Sequence, residues 1–306
     1  MKNLLICAVV FLLCVGCSRS EIENPTDVFA PAQRIIELNN KKLKEISGIA
    51  ASRRNPGLFW VHNDSGNEPE IYLIDTSLKI HLTCQIGKVE NRDWEDIAVG
   101  PGPEEGKTYV YVGEIGDNKA RHQLKYIYRF EEPLLHEGVK KLTLGTYDTI
   151  TFRLEDKRKD AETLLIDPNT KFLYVISKRE KPVWLYELPF PQSTKDTIVA
   201  RKVISLPFTQ IVAGDVRSDA KEVLLKNYEQ VYYWRSDKPM AIPHLLRTPH
   251  FEVPYEIEPQ GEALSWSHDG AGFYTISEKN VGKNTYLYYY QDQSRKDDTP
   301  AEAVSN

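Results

Sequence analysis

Ile46-Ser47-Gly48-Ile49, Trp94-Glu95-Asp96-Ile97, Ala161-Glu162-Thr163-Leu164, Gly214-Asp215-Val216-Arg217 and Gly261-Glu262-Ala263-Leu264 are five versions of one pattern. In each, an oxygen-bearing side chain stands at the entrance of a strand-like run. The anchors Ser47, Glu95, Glu162, Asp215 and Glu262 follow one another at intervals of 48, 67, 53 and 47 residues. Self-similarity at such a period marks stacked or radial repeats.

The surroundings of each anchor repeat too. Residues 47–52 lead through the turn Arg54-Asn55-Pro56-Gly57 to a strand-like run at 58–62, a polar loop at 63–67 and further runs at 71–74 and 80–86. The second unit has runs at 97–99, 109–112, 125–130 and, after a longer connection, 148–153. The third has 163–166, 172–176, 183–188 and 202–206; the fourth is leaner, with 216–218, 223–225 and 231–234. The fifth has 263–266, 272–276 and 285–290, and then the pattern stops. Strand-like runs broken by Pro, Gly, Asp and Asn turns predict an all-β chain folded as a five-bladed β-propeller. The 67-residue interval leaves room for a sixth blade. The unassigned run at 33–38 is expected to complete the fifth unit and close the ring with pieces from both ends of the chain. The competing architecture is a non-cyclic β-sandwich.

Bulk properties narrow the function. The net charge is −5, and no block of Lys and Arg is long enough to line a nucleic-acid groove. Met1-Lys2-Asn3 is basic, and the apolar run at 4–15 is too short for an ordinary membrane span. The segment reads as a secretion signal. It resembles a bacterial lipoprotein signal, with Gly16 before Cys17, although Cys14 replaces the usual Leu and Leu13 sits one step earlier. The resemblance implies an acylated Cys17 in the lipid bilayer and a place in the cell envelope. The expected organisation is a signal at 1–17, a tether at 18–32, one propeller domain at 33–292 and a polar tail at 293–306, in a monomer. Cys84 is then the one cysteine of the folded body, which excludes an internal disulfide and Cys-based zinc spacing.

Topology predicts a functional face. The first strand of a propeller blade lines the channel and the second runs back beside it. The start of the first strand and the loop after the second therefore share one mouth. Those loops are His62-Asn63-Asp64, Glu114-Ile115-Gly116-Asp117-Asn118, Ser177-Lys178-Arg179, Lys226-Asn227-Tyr228 and Ser277-Glu278-Lys279-Asn280. Three glutamates and an aspartate aimed at one channel repel each other unless protonated or neutralised by a cation. Oxygen ligands from several blades suit Ca²⁺, and suit the stricter octahedral Mg²⁺ less well. The ring of Ser47, Glu95, Glu162, Asp215 and Glu262 has no His or Cys, which disfavours zinc. The alternative is that these acids bind only backbone amides or water. Glu45 is expected to face away from the ring.

The short islands Ile46-Ser47, Trp94-Glu95 with Tyr111-Val112-Gly113, Ala161-Glu162-Thr163 with Lys178-Arg179, Leu224-Leu225-Lys226, and Gly261-Glu262-Ala263 resemble the calcium-dependent apyrases, soluble nucleotidases with a five-bladed propeller. Asp215 stands where that family would have Ser. The chain also looks like secreted bacterial propellers of unassigned activity. The apyrase resemblance implies hydrolysis of phosphate anhydrides or esters at a calcium ion. Lys178, Arg179 and Lys226 would stabilise phosphoryl charge, and Glu114 or Asp117, with His62 a weaker candidate, would be the general base. The rival class is a non-catalytic propeller binding a glycan, peptide or protein around structural calcium. Glycoside hydrolysis by paired carboxylates, with Tyr228, Trp94 and Tyr255 stacking on sugar, is a third. No P-loop, Gly-x-Ser-x-Gly elbow or His-Glu-x-x-His motif is present.

Overall fold

The first strand, β1 (Gln33–Glu37), has no partner near it in sequence; its place is set by the far end of the chain. The structure, a computed structural model, describes residues 28–279 and 282–298. The expected signal, Cys17 and most of the expected tether lie outside the described residues.

Runs of Val, Ile, Leu and Tyr fit a pleated sheet buried on both faces. After β1 come β2 (Ile46–Ala51), β3 (Phe59–Asn63), β4 (Glu70–Ile74) and β5 (Ile80–Ile86), an antiparallel meander. The next meander is β6 (Trp94–Pro101), β7 (Thr108–Glu114) and β8 (Lys125–Glu131). The chain then crosses to the first sheet, where β9 (Lys141–Leu144) pairs in parallel with β5. It returns as β10 (Asp148–Leu154) against β8. The long interval between the second and third anchors therefore holds an added edge strand.

A third meander follows: β11 (Ala161–Ile166), β12 (Leu173–Ser177), β13 (Val183–Leu188) and β14 (Ile198–Leu206). Its β14 pairs in parallel with β10, joining two meanders into an eight-stranded sheet. The fourth contains β15 (Ala213–Val216), β16 (Glu222–Lys226), β17 (Val231–Arg235), the helical turn α1 (Ile242–Leu245) and β18 (Phe251–Val253). The last has β19 (Ala263–Trp266), β20 (Gly272–Ile276) and β21 (Tyr286–Gln291), with β1 added outside β21. The expected junction of the two chain ends is thus a paired edge.

The first strands pack in cyclic order: β2 on β6, β6 on β11, β11 on β15, β15 on β19, and β19 back on β2. This is a β-propeller. The hydrophobic core is accordingly cut into wedges between neighbouring sheets. Trp60 and Trp94 fill one with Val110 and Phe130, and Trp266 fills another with Tyr233 and Phe273. Each fully buried large side chain is worth about 1.5–3 kcal/mol of transfer free energy.

Two boundaries differ from expectation. Val28 and Phe29, assigned to the tether, are buried, and Phe29 meets Tyr233 and Phe273 edge-on at 5.2 and 5.0 Å. Packing begins earlier because two apolar side chains next to Pro31 find the wedge beside Trp266. At the other end, Gln293–Asp298 forms a 3-10 turn, and Arg295 pairs with Asp292 at 2.8 Å and Glu222 at 2.5 Å. The first turn of the expected polar tail is therefore tied to the domain.

Candidate metal centre

The mouth is shaped by a backbone irregularity. Pairing of β2 with β3 skips Ser47, pairing of β6 with β7 skips Glu95, and pairing of β11 with β12 skips Glu162. Each anchor is the extra residue of a bulge, a device that bends a strand and re-aims a side chain. Glu262 stands just before β19.

Asp215 is different. It pairs regularly with Leu224, with no bulge. Its Oδ1 accepts the Val216 N–H at 2.7 Å and its Oδ2 accepts the Trp266 N–H at 2.9 Å. Asp96 makes the same latch, accepting from Ile97 and Leu164 N–H groups, both at 2.8 Å. The counterpart of Asp215 is therefore Asp96, one residue deeper than Glu95. Both aspartates staple adjacent first strands; Asp96 is fully buried and Asp215 half-buried. Ser47 is a third staple, its hydroxyl donating to the Glu95 carbonyl at 2.9 Å. The expected ring of five is corrected to three members, Glu95, Glu162 and Glu262.

Those three meet a second acidic set. Carboxylate oxygens of Asp64, Asp93 and Glu95 lie within 4.8 Å of one another, as do those of Glu95, Asp160 and Glu162. Glu95 belongs to both groups. Lys178, from the end of β12, pairs with Glu162 and stands 3.7 Å from Glu262. The Tyr228 hydroxyl donates to Glu262, and the Lys178 ammonium lies 5.2 Å from the centre of the Tyr228 ring.

Charge crowding shows in the titration. Burial, then Glu162, Asp64, Asp93 and Glu262, all push Glu95 well above the usual carboxylate range. Burial also raises Glu162, with Lys178 opposing. Asp64 and Asp93 are pushed up to about 6, chiefly by burial. Glu278, beside Glu262 and Asp64, is pushed up to about 8 for the same reason.

Whether these residues fit a cation can be judged against Glu132, a buried carboxylate on strand-connecting chain. Glu132 accepts from the Ser52 and Thr108 hydroxyls, the Trp60 indole and the Arg53 and Arg54 N–H groups. Its lone pairs are satisfied by protein. Glu162 Oε2 is buried and has no hydrogen-bond partner. Gly116 leaves the Glu95 carboxylate its space: a Cβ there would collide with Glu95 Oε1 and with the Asp93 carboxylate. An all-oxygen donor set, crowded and under-satisfied, fits a hard divalent cation. The Asp160 end of the cluster is already countered, because Asp160 accepts from Arg179 Nε at 2.7 Å and the Asp117 N–H at 2.8 Å. The Asp64–Asp93–Glu95 end is the better seat.

The other candidates have local work. Glu114 accepts the Arg92 and Asp93 N–H groups at 3.2 and 3.0 Å and pairs with Arg92, so it fixes the approach to β6. Asp117 accepts the Arg121 and His122 N–H groups at 2.7 and 2.8 Å and closes its own loop. In both, backbone N–H groups engage both carboxylate oxygens. Lys226 donates to the Gly261 carbonyl and stands 3.7 Å from Glu258. Arg179 also donates to Asn118. His62 is buried and pushed down to about 4, a neutral core histidine. Trp94 is fully buried and cannot stack on a sugar; Tyr255 donates to Glu258 at 3.1 Å. Glu45, held by Asn67 at 2.5 Å, stays outside both triads.

Asp64, Asp93, Asp160 and Glu278 enlarge the acidic cluster and were not among the expected ligands. A signal existed: Asp93-x-Glu95 and Asp160-x-Glu162 repeat the same pair at successive strand entrances.

No protein-family model matches the chain, and no curated protein matches it. Among solved structures it is similar to the PQQ-bound form of an aldose sugar dehydrogenase from Streptomyces coelicolor, at 11% identity and a TM-score of 0.47, covering 86% of this chain and 99% of that one. It is also similar to a luciferin-regenerating enzyme, at 12% identity and a TM-score of 0.45, covering 85% and 94%.

Proposed function

We propose that this chain is a five-bladed β-propeller that binds a divalent cation, Ca²⁺, at its acidic mouth through Asp64, Asp93 and Glu95, with Glu162 alongside. The blade count is supported by the cyclic packing of β2, β6, β11, β15 and β19. The observation that carries the cation is the pair of carboxylate triads sharing Glu95, one of whose members keeps a buried oxygen without a partner. Seven carboxylates crowd the mouth counting Glu262 and Glu278, and one ion relieves their repulsion better than protonation at neutral pH. The test is calcium binding to chelator-stripped protein by titration calorimetry, against Glu95→Gln.

A second reading makes the ion the centre of a hydrolase acting on phosphate anhydrides or esters. Lys178, a buried ammonium beside Glu162 and Glu262, favours it, since such a group stabilises developing phosphoryl charge. Calcium-dependent release of phosphate from nucleotides, lost in Lys178→Met, is its test. A glycan or protein ligand held without turnover is the outcome if phosphate release is absent. Acylation at Cys17 and residence in the cell envelope belong to the same proposal, tested by membrane fractionation of Cys17→Ser.

A further inference from the structure

A cavity of about 430 Å³ opens between the loop that follows β7 and the segment that leads from β10 to β11. Both segments belong to the mouth. β7 ends there at Glu114, and β10, antiparallel to β8, ends level with Lys125 through the pairing of Phe152 with that residue. Four cationic side chains line the cavity: Lys125, Arg153, Lys157 and Arg158, with His122 beside them.

The only carboxylate in the lining is Asp156. It is already engaged by Lys159 at 3.1 Å, Lys202 at 3.3 Å and the Tyr186 hydroxyl at 3.0 Å. Against the effect of burial, Lys159, the Lys157 backbone N–H and the Tyr186 hydroxyl hold Asp156 down at about 2. Among the described residues, Arg153, Lys157 and Arg158 form no ion pair, and Arg153 makes one long bond to a carbonyl at 3.5 Å. A chain of net charge −5 thus keeps a concave cluster of uncompensated cations. Like charges in a cleft focus potential, and an anion removes the repulsion. Lys125 is the buried member of the lining, and its ammonium donates to the Ile115 carbonyl. Among the acids, Asp117 and Asp160 act most strongly on its charge, and Asp160 belongs to one of the acidic triads.

From this geometry we infer that the cavity is an anion subsite for the phosphate group of a small molecule, with Arg153 and Arg158 as its forked donors. Arginine pairs with phosphate through two parallel N–H bonds, and each charge-assisted bond counts for more than a neutral one. Anion binding itself needs nothing from the acidic triads. The further step, that the same molecule extends past Lys125 to a bound cation, rests on the proposed calcium site.

The experiment is titration of orthophosphate into chelator-stripped protein in EDTA, by calorimetry, with the double variant Arg153→Gln/Arg158→Gln in parallel. Both arginines are at least partly exposed, so the variant is expected to fold, and circular dichroism and the melting temperature check that it has. Wild-type protein binds phosphate in EDTA, and the variant binds at least about tenfold more weakly, as loss of one charge-assisted bond predicts. A sugar phosphate in place of orthophosphate separates the sources: tighter binding marks a subsite for a phosphorylated molecule, and equal binding marks a free-phosphate site. Absence of phosphate binding in EDTA, or unchanged affinity in the folded double variant, overturns the inference. Because calcium is excluded throughout, that failure is distinguishable from failure of the cation site.

Discussion

Glu95 and Glu162 occupy the same position in neighbouring meanders, each the unpaired residue of a bulge where a first strand leaves the mouth. Regular pairing resumes one residue later, at Asp96 with Gly113 and at Thr163 with Ile176. The bulge leaves two buried carboxylates facing one another. The cation site proposed at the mouth depends on that displacement.

Calcium should stabilise the chelator-stripped protein. An ion bound only by the folded state at a hundredfold excess over its dissociation constant adds about 2.7 kcal/mol. For a domain of this size that is a rise in melting temperature of roughly 5–10 °C. Differential scanning calorimetry with and without calcium checks it.

Lys178→Met removes the ammonium between Glu162 and Glu262. Breaking a buried pair by deleting one partner costs about 3–5 kcal/mol. The loss should be large in EDTA and substantially smaller with calcium, which takes over neutralisation. Urea unfolding in both buffers reads the difference; an equal loss in both would assign Lys178 a purely structural role.

Gly116→Ala places a methyl against the Glu95 and Asp93 carboxylates. Overpacking of this kind costs about 1–3 kcal/mol. The variant should also lose the calcium-dependent shift, because the two acids that must move are the proposed ligands. Asp215→Asn is the contrasting case. It weakens the latch to Trp266 and Ser265, lowers stability and leaves the calcium shift in place.

The pH dependence follows from Asp64 and Asp93, both pushed up to about 6 in the fold. An unfolded aspartate titrates near 3.9. Between about pH 4 and 6 the folded state therefore holds more protons, and metal-free stability from these groups falls as pH rises through that window. Calcium needs the ionised forms, so its stabilising effect grows across the same window. Melting curves from pH 4 to 7, with and without calcium, should diverge upward.

Much of the fold was legible because a propeller repeats one unit. Strand, turn, strand and loop recur around Ser47, Glu95 and Glu162, and the fifth unit visibly lacked an outer strand that β1 supplies. What escaped depends on long-range pairing. β9 has an ordinary Lys-Leu-Thr-Leu sequence and becomes a strand only because the edge of β5 is open to it. The acidic mouth was legible as a location, while its membership was not. Asp215 looks like Glu95 in sequence, and only the presence or absence of a bulge decides which carboxylate reaches the mouth and which staples two strands. Glu114 and Asp117 read as catalytic acids by type and position, yet backbone N–H groups claim their oxygens, from the entrance of β6 for Glu114 and from its own loop for Asp117.

The most direct measurement is calcium titration of chelator-stripped protein by calorimetry, with Glu95→Gln alongside. Saturable binding to the wild type that Glu95→Gln weakens at least tenfold is the predicted result; no binding by the wild type, or equal binding by the folded variant, would contradict a cation site at the mouth.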